Sequence, residues 1–494
     1  MPSDFFPHQN SARINKTIYS DLLKQPAVMS FRLRPRRLVK AFLSGVVTAL
    51  FVFVAFKCIA TIQKISLFQR HQAEADLSEP GIDQLQHSTE DLKVSKNALL
   101  SRQDAVQQNV GQGPESQVFV LAKHVRHACQ GREEELAGLT KSNNSYQQIS
   151  VDWQRRSMFC PIFKTSSTYL RRLFYTLDAN GRLRNPYSIT IDQALHVKTN
   201  SLIELLPLNG PKAQEFFSDV TSFLFVREPL ARLLSGYVDK LFAPNPFYWN
   251  KTGTYMVSKY RPYATPMEKV CGHDLTFSEF VQYIVDGELD PEAKDYRDPH
   301  FTPAYDQCKV CHLNYTLVGK MEAFNTDMFD ILKLLNIDIT REQLTEWKKD
   351  VVKDAIIDSV ESPFGWRAKV RMCISWQSAL RRVWRKLQSR AIIPLEEKFP
   401  FSEHQIERLT AQDFIIAAHY THLRANKARL KRQKKEILAM AYNTIDRVLL
   451  IRLLQVLEPD FTLFKYDIQP DFIFDNDFID EVDKLPNLFD LKTL

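Results

Sequence analysis

The chain has 494 residues, a length sufficient for one large domain with appendages or for two or three domains. Its apolar fraction of 44% and its 33 Phe indicate a globular protein with a sizeable core, and its 14 Gly exclude collagen-like and Gly-rich architectures. The net charge of +7 is uneven, because residues 364–440 hold 17 Lys/Arg against six acids while residues 458–494 hold three Lys against ten acids.

An uncharged, mostly apolar run at 41–56 is the first predicted element. Lys57 can extend its charged end towards water, so the run continues to residue 62 and reaches the ~20 residues that a bilayer span needs. Eight Lys/Arg against two Asp precede it. By the positive-inside rule we predict a cytoplasmic tail at 1–40, a transmembrane signal anchor at 41–62 and a lumenal remainder. A cleaved signal peptide and a buried helix of a soluble protein are the competing interpretations.

A polar segment follows at 63–118, rich in Gln, Ser, Asp and Glu and poor in aromatic residues. This composition is typical of a stem that holds a folded domain away from a membrane. Apolar residues then become dense, so we predict one globular domain at 119–467 and an acidic C-terminal tail at 468–494. Sequons predict N-glycosylation of the lumenal part, at Asn143, Asn250 and Asn314.

Six cysteines follow the apolar run, and an oxidising lumen would pair them in up to three disulfides. They are Cys129, Cys160, Cys271, Cys308, Cys311 and Cys373. The sequence leaves 15 connectivities open. The alternative for Cys308 and Cys311 is a zinc site completed by His300 and His312, because zinc normally takes four ligands.

Two strand–loop–helix units stand out in the globular domain. In the first, an apolar strand at 157–161 precedes a loop at 162–167 and a helical run at 168–177. In the second, a strand at 221–226 precedes a helix from Leu230 in which apolar residues recur at helical spacing. Strands followed by helices indicate an α/β fold with a parallel sheet flanked by helices. Ligands of such sheets bind at the carboxyl ends of the strands, where both loops would lie.

The first loop carries Lys164 followed by four hydroxyl residues, Thr165, Ser166, Ser167 and Thr168, at a helix start. The amides of a first helical turn, the helix dipole and hydroxyl donors together attract an anion such as phosphate. The glycines of a Walker A loop are absent, which argues against a P-loop kinase. The alternative interpretation is an ordinary Ser/Thr helix cap.

The second unit places Arg227 at a strand end and Ser235 eight residues later on the following helix. A guanidinium and a hydroxyl so arranged can hold one phosphate group. The alternative is a structural ion pair of Arg227 with Glu228 or Asp239.

In this order, the two units resemble the nucleotide-binding pair of sulfotransferases. The segment CPIFKTSSTYLRRLF is similar to the 5'-phosphosulfate loop of Golgi carbohydrate sulfotransferases of the chondroitin/dermatan 4-O-sulfotransferase family, and FLFVREPLARLLSGYVDKL is similar to the family's 3'-phosphate loop. The segments 298–324 and 459–467 resemble its His-x-x-Pro…Cys-x-x-Cys block and its C-terminal end. The resemblance covers roughly 120–467 and is weak at 330–450.

The chain departs from that family at a few positions. Tyr169 and Leu170 stand where Asn-Trp is common, and Gly236 stands where Ala is common. The region 330–450 and the tail after Asp467 are longer than usual. These departures bear on the identity of the acceptor more than on binding of the donor.

The resemblance implies the sulfotransferase form of a P-loop-like α/β fold, with 3'-phosphoadenosine 5'-phosphosulfate (PAPS) as the donor. The residues implied to contact the 5'-phosphosulfate are Lys164, Thr165, Ser166, Ser167 and Thr168, and those implied to hold the 3'-phosphate are Arg227 and Ser235. The implied product is a sulfated glycan, with position 4 of GalNAc in chondroitin or dermatan as the expected acceptor. The implied location is the Golgi membrane, with the catalytic domain in the lumen.

Sulfuryl transfer needs in-line positioning and neutralised charge on the leaving phosphate. We therefore predict Lys164 as the catalytic cation at the bridging oxygen and His300 as the base that takes the sugar proton. Glu228 is a second candidate for the base. The alternative for His300 is a structural role beside the Cys308–Cys311 loop. We expect no metal requirement.

The expected partners are a glycosaminoglycan or glycoprotein glycan and the membrane, with a homodimer permitted and nucleic acid excluded by the topology. The basic block would hold an acidic glycan or form a solvated helical face. Its members are Arg381, Arg382, Arg385, Lys386, Arg429, Lys431, Arg432, Lys434 and Lys435. The rival function is a catalytically inactive Golgi protein of the sulfotransferase fold that binds anionic glycans.

Overall fold

The computed structural model describes residues 116–132, 136, 149–177, 181–190, 193, 200–201, 220–289 and 298–493. All of them belong to the compact unit Gln86–Leu494. The predicted cytoplasmic tail, the predicted anchor, the predicted stem up to residue 115 and the sequon at Asn143 lie outside the described residues.

Within the described ranges, one mixed sheet is surrounded by many helices. The strands are β1 (Ser150–Asp152), β2 (Ser157–Cys160), β3 (Asn200–Ser201), β4 (Thr221–Val226) and β5 (Leu317–Lys320). The helices up to β5 are α1 (Gln117–Cys129), α2 (Ser167–Thr176), α3 (Pro229–Tyr237), α4 (Pro246–Tyr248), α5 (Thr254–Tyr260), α6 (Pro266–Cys271), α7 (Phe277–Leu289), α8 (Ala304–Gln307) and α9 (Val310–Leu313).

The part of the chain after β5 is helical wherever it is regular. Its helices are α10 (Phe324–Leu334), α11 (Arg341–Gly365), α12 (Arg367–Val370), α13 (Trp376–Ser389), α14 (Glu403–Ile406), α15 (Ala411–Arg424), α16 (Lys427–Tyr442), α17 (Arg447–Val456), α18 (Glu458–Leu463), α19 (Asp471–Phe474) and α20 (Asn476–Val482). Short 3₁₀ helices lie at Pro186–Ser188, Met321–Ala323 and Leu491–Thr493, and π-helical turns at Val238–Phe242 and Trp249–Gly253.

The sheet has the strand order β3-β1-β2-β4-β5. Strands β2, β4 and β5 are parallel neighbours, as predicted for the two strand–loop–helix units. The predicted parallel sheet is in fact mixed, because β1 pairs antiparallel with both β2 and β3. The short turn between β1 and β2 explains the difference, since a tight connection joins antiparallel strands whereas a parallel pair needs a long crossover.

Strand β4 shows how both faces of the sheet are covered. Phe223 and Phe225 belong to one buried cluster, together with residues of α2 and α10. Leu224 and Val226 point the other way, into a second cluster that includes residues of α1 and α9. Because alternate residues of a strand face opposite sides, this run of buried residues needs helices on both faces. The predicted flanking of the sheet by helices is therefore correct.

The transmembrane component of the predicted fold is contradicted. Among the described residues, no helix has the length and the apolar composition required to cross a bilayer. The apolar run at 41–62 on which that prediction rested lies outside the described residues.

Three disulfides tie distant parts of the domain together. They are Cys129–Cys311, Cys160–Cys308 and Cys271–Cys373. Each cysteine of the CxxC pair is bonded to a remote partner, which leaves no thiolate for the alternative zinc site. In the part of the chain that the structure describes, no group of His, Cys, Asp and Glu is arranged to hold a metal ion.

The predicted acidic tail contributes to the largest core cluster. Its Phe472, Ile473, Val482, Leu488 and Phe489 are all buried there. Helices α19 and α20 pack against α16, which belongs to the basic block. The end of the chain therefore packs onto the domain that carries the site.

Candidate active site

The two predicted loops meet at one edge of the sheet. Strands β2 and β4 are parallel and in contact, with Cys160 opposite Leu224, so the loops that follow them leave the sheet side by side. The Arg227 guanidinium donates a hydrogen bond of 3.5 Å to the carbonyl oxygen of Lys164. The prediction that both loops lie together at the carboxyl ends of the strands is confirmed.

The first loop has a strained backbone and an open helix start. Lys164 and Ser166 have φ angles of 69° and 61°, a left-handed conformation that costs side-chain-bearing residues energy. Ser166 occupies the cap position of α2, but its hydroxyl makes no capping hydrogen bond. The alternative of an ordinary Ser/Thr cap is therefore wrong, and the first-turn amides of α2 are left for another acceptor.

The hydroxyl residues of this loop divide into two groups. Thr165 is fully buried, and its hydroxyl donates to the Ile162 carbonyl at 2.7 Å. The Thr165 hydroxyl thus shapes the turn, and the predicted contact of Thr165 with PAPS stays a prediction. Ser166, Ser167 and Thr168 are half-buried, and no side-chain hydrogen bond engages them within the described residues.

Gln307 joins this loop to the segment that carries His300. Its amide oxygen accepts a hydrogen bond of 3.1 Å from the Phe163 amide, and its amide nitrogen donates to the Pro299 carbonyl at 3.0 Å. The disulfide Cys160–Cys308 makes a covalent link between the same two segments. Sequence reasoning missed Gln307, because a Gln in an unremarkable position carries no local signal.

Lys164 lies in a cluster of charges. Its Nζ is 2.8 Å from Oδ2 of Asp239, and Lys240 Nζ is 3.3 Å from the same oxygen. Lys386 Nζ lies 2.7 Å from the other oxygen, Oδ1. Burial lowers the pKa of Lys164 to about 8; the Asp239 carboxylate raises this pKa, whereas Lys240 and Lys386 lower it. Lys164 is therefore a cation held in place by a single carboxylate.

Arg227 and Glu228 have different roles at the second loop. Burial lowers the pKa of the Arg227 guanidinium, while Glu322 and Glu228 act in the opposite direction. Glu228 caps α3, because its two carboxylate oxygens accept hydrogen bonds from the Leu230 and Ala231 amides at 3.0 and 2.6 Å. Burial raises the pKa of Glu228 to about 7 in spite of these bonds. The capping role disfavours Glu228 as the base.

Ser235 lies near the end of α3 and is half-buried. Its neighbour Gly236 explains one departure from the family pattern. A Cβ atom at this position would lie 3.0 Å from the Phe301 ring and 3.1 Å from the His300 carbonyl oxygen. Glycine thus allows α3 to approach the His300 segment closely.

His300 is positioned from three sides. Its Nδ1 lies 2.6 Å from Oδ1 of Asp298 and 3.0 Å from the Tyr248 hydroxyl, and its ring lies 4.3 Å from the Phe163 ring. Burial acts to raise the pKa of Asp298, but hydrogen bonds from His300 and Lys251 more than offset it and keep this pKa well below its usual range. The ionised carboxylate accepts the Nδ1 proton, which assigns the free lone pair of neutral His300 to Nε2.

The electrostatics keep this imidazole neutral. Burial lowers the pKa of His300; the hydrogen bond to Asp298 raises it, and the charges of Lys240 and Lys164 lower it. Nε2 has no hydrogen-bond partner among the described residues. The contacts to Phe163, Asp298 and Tyr248 place the ring at the first loop rather than against the Cys308–Cys311 turn, which disfavours the purely structural alternative.

Two of the three sequons lie in the described part of the chain. Asn250 is exposed in the π-helical turn Trp249–Gly253. Asn314 is half-buried with a left-handed backbone, φ 45°. The Thr316 hydroxyl of its sequon donates to the Ser222 carbonyl at 2.6 Å.

Much of the predicted basic block is used inside the protein. Arg382 is buried and donates to the His273 carbonyl at 2.6 Å. Arg385 donates to the Leu488 and Asp490 carbonyls. Arg432 is paired with Glu481 of the acidic tail at 2.6 Å. Neither a free glycan surface nor a merely solvated face describes Arg382 and Arg385, whereas Arg432 is 59% exposed.

The arrangement combines an open helix start, two cations and a neutral imidazole. Such a set can bind an oxyanion, stabilise negative charge on a leaving group and accept a proton. Motif reasoning found Lys164, Arg227 and His300. It did not find Asp239 and Lys386 as partners of Lys164, because they come from a different turn and a distant helix.

Comparison with known proteins agrees with this chemistry. The chain matches the family model described as Sulfotransferase family over residues 147–401. Carbohydrate sulfotransferase 11 of Rattus norvegicus is 31% identical over 195 residues, which are 39% of this chain and 54% of the relative. Carbohydrate sulfotransferase 14 of Homo sapiens is 40% identical over 188 residues, which are 38% of this chain and 46% of the relative. No solved structure gives a significant match.

The chain spans about half the length of the curated relatives it matches. The matched region includes β2, β4 and β5, both loops and the candidate residues Lys164, Arg227 and His300. The resemblance to carbohydrate sulfotransferases that the sequence predicted is confirmed, and the chain belongs to the sulfotransferase family.

Proposed function

We propose that this protein transfers a sulfuryl group from PAPS to a glycan hydroxyl, with position 4 of GalNAc in chondroitin or dermatan as its acceptor. The observation that carries the proposal is the anion cradle at the carboxyl ends of β2 and β4. There an uncapped helix start, Lys164 and Arg227 converge within contact of one another. The His300 imidazole packs on the Phe163 ring of the same loop.

The residues of the cradle fit a donor that carries two separate anionic groups. Lys164, the amides at the start of α2 and the hydroxyls of Ser166, Ser167 and Thr168 would hold the 5'-phosphosulfate. Arg227, at the end of the neighbouring strand, would hold the 3'-phosphate. When bound, PAPS supplies a sulfuryl group whose S–O bond to the phosphate breaks as the bond to the acceptor oxygen forms.

The chain's own residues then move one proton and stabilise one charge. Nε2 of His300 accepts the proton of the attacking hydroxyl, and the Asp298 carboxylate stabilises the resulting imidazolium through Nδ1–H. The Lys164 ammonium offsets the charge that develops on the leaving phosphate oxygen. The products are the sulfate ester, adenosine 3',5'-bisphosphate and one proton, which His300 then releases to solvent.

The acceptor and the compartment are proposed from the relatives and from the disulfides. The named relatives are carbohydrate sulfotransferases, which supports a glycan acceptor. The three disulfides support a lumenal site of the secretory pathway, for which we propose the Golgi, because reducing compartments keep thiols free.

The test is transfer of radiolabelled sulfate from PAPS by the full chain. The acceptor panel is desulfated chondroitin, dermatan, heparosan and a GalNAc-terminated glycan. We expect label on chondroitin or dermatan, and loss of that label in Lys164→Ala with unchanged thermal unfolding. Label on another acceptor would retain the sulfotransferase and replace the acceptor. A folded protein that binds these glycans but not PAPS would favour the inactive glycan-binding alternative.

A further inference from the structure

The carboxylate of Asp239 bridges two lysines from different parts of the fold. Its Oδ2 lies 2.8 Å from Nζ of Lys164, and its Oδ1 lies 2.7 Å from Nζ of Lys386. The Lys386 side chain is only 7% exposed, against 18% for Lys164 and 21% for Asp239. One carboxylate thus holds a lysine at the mouth of the site and a second lysine behind it.

Lys164 and Lys386 reach Asp239 from different structural settings. Asp239 belongs to the π-helical turn Val238–Phe242 after α3, and α13, which carries Lys386, packs against that turn. Lys386 is held by this packing, whereas Lys164 comes from the strained loop before α2. Lys386 is therefore the fixed partner and Lys164 the partner that faces the cradle.

A Lys164 that remained paired with Asp239 would offer less of its charge to a leaving phosphate. Separating the pair would normally leave a partly buried carboxylate without a counter-charge, which is costly. Lys386 offsets most of that cost, because its Nζ lies 2.7 Å from the other carboxylate oxygen, and Lys240, whose Nζ lies 3.3 Å from Oδ2, adds a weaker counter-charge. The second lysine thus makes the exchange of Lys164 between Asp239 and an incoming anion feasible.

We propose that Asp239 is a positioning residue that holds Lys164 at the donor site, and that Lys386 is the fixed counter-charge that lets Lys164 pass from Asp239 to the phosphosulfate. This inference rests on the proposed function, because Asp239 and Lys386 would position the lysine that acts in the proposed reaction. It also gives one lysine of the basic block a role inside the site.

The charges that face Lys164 set the direction of each substitution. Asp239 is the one that raises the Lys164 pKa; Lys240 and Lys386 lower it, and His300 is the nearby group whose own pKa Lys164 lowers. Asp239→Asn therefore lowers the pKa of Lys164 further, and Lys386→Met raises it. Opposite shifts from two neighbouring substitutions are a signature that simple loss of packing does not produce.

The experiment measures PAPS consumption by the full chain against pH, in the wild type and three variants. For Asp239→Asn we expect a kcat about tenfold lower. Its high-pH limb of kcat/KM should move down by about one pH unit. Asp239→Glu keeps the charge and should restore the wild-type limb. Lys386→Met should also lower kcat, because the carboxylate then loses its closest lysine and holds Lys164 more strongly, but its high-pH limb should move to higher pH.

The matched control is Asp354→Asn, which neutralises a carboxylate of similar exposure (27%) in the Arg172–Asp354 pair on α2 and α11. It should lower thermal stability and leave the pH limb in place. A wild-type profile in Asp239→Asn, or limbs that move in the same direction in both site variants, would overturn the inference while leaving the function intact. A wild type that neither binds adenosine 3',5'-bisphosphate nor consumes PAPS would overturn the proposed function, and the inference with it.

Discussion

Lys164 must keep its proton at a place where burial favours losing it. Because its pKa is lowered to about 8, the free enzyme loses this positive charge as the pH rises through that value. We therefore expect kcat/KM for PAPS to fall above about pH 8. Bound phosphosulfate adds negative charge next to the ammonium and raises its pKa, so the corresponding fall in kcat should occur at higher pH. Initial rates from pH 5 to 10 test both limbs, and a flat profile up to pH 10 would contradict the assignment.

His300 has the opposite requirement, since a base must be neutral before it accepts a proton. Burial holds its pKa below the ordinary 6.5, so activity should persist below pH 6.5 and fall only as the pH drops through the lowered pKa. His300→Asn should reduce kcat by about 10²–10⁴-fold and remove this low-pH limb. Its binding of adenosine 3',5'-bisphosphate should stay within a few-fold of the wild type. A wild-type kcat in this variant would move the base elsewhere.

The individual residues of the site were predictable to different degrees. Lys164 and Arg227 were singled out because the order of their two motifs resembles a sulfotransferase, whereas each motif alone fits a structural role equally well. The hydrogen bond from the Thr165 hydroxyl to the Ile162 carbonyl was not predicted, because sequence spacing does not reveal which hydroxyl is buried. Asp239 was considered only as a partner of Arg227, while in the structure it pairs with Lys164.

Among the larger elements, the link between β2 and the His300 segment is the one on which the site depends. The disulfide Cys160–Cys308 joins them at the base of the first loop. Replacing both cysteines by Ser should lower the free energy of unfolding by about 2–5 kcal/mol. It should also lower kcat, since Lys164 and His300 are then no longer held at a fixed separation.

The control for that prediction is Cys271–Cys373, which joins α6 to the turn before α13. Its double Ser variant should lose stability to a comparable extent and keep its kcat at a temperature where it remains folded. Denaturant unfolding and initial rates on both variants provide the measurement. Equal loss of kcat in the two variants would show that the Cys160–Cys308 link has no special relation to the site.

The sequence identified the elements that have strong local patterns. The apolar strand β4 and the helix α3 are found where predicted, because a buried run followed by a helical stripe with Pro229 in its first turn is distinctive. Strands β1 and β3 were missed, since strands of three and two residues are too short to show a period. The π-helical turn that carries Asp239 was also missed, because such turns depend on tertiary packing.

In the folded chain, the acidic tail packs against the helix α16 of the basic block. The tail buries five apolar residues in the largest core cluster, and its Glu481 pairs with Arg432 on α16. Removing residues 468–494 should lower the melting temperature strongly or prevent folding, because about 1.5–3 kcal/mol accompanies full burial of each large apolar side chain. Thermal unfolding of the truncated chain is the measurement.

A substitution in the tail distinguishes the contribution of buried apolar residues from that of the ion pair. Glu481→Gln removes an ion pair whose side chains are 59% and 60% exposed, and such pairs contribute little. We expect its melting temperature to equal that of the wild type. A truncated chain as stable as the wild type would show that the tail is an appendage rather than part of the core.

Calorimetric titration with adenosine 3',5'-bisphosphate measures whether the two loops bind the nucleotide of PAPS. We expect the full chain to bind this nucleotide. Arg227→Ala should weaken binding by about 10–150-fold, the equivalent of about 1.5–3 kcal/mol for a hydrogen bond to a charged group. Lys164→Ala should weaken binding less than Arg227→Ala, because Lys164 is paired with Asp239 in the free protein and gains less from the 5'-phosphate. No binding by the folded wild type, or equal binding by Arg227→Ala, would contradict the account.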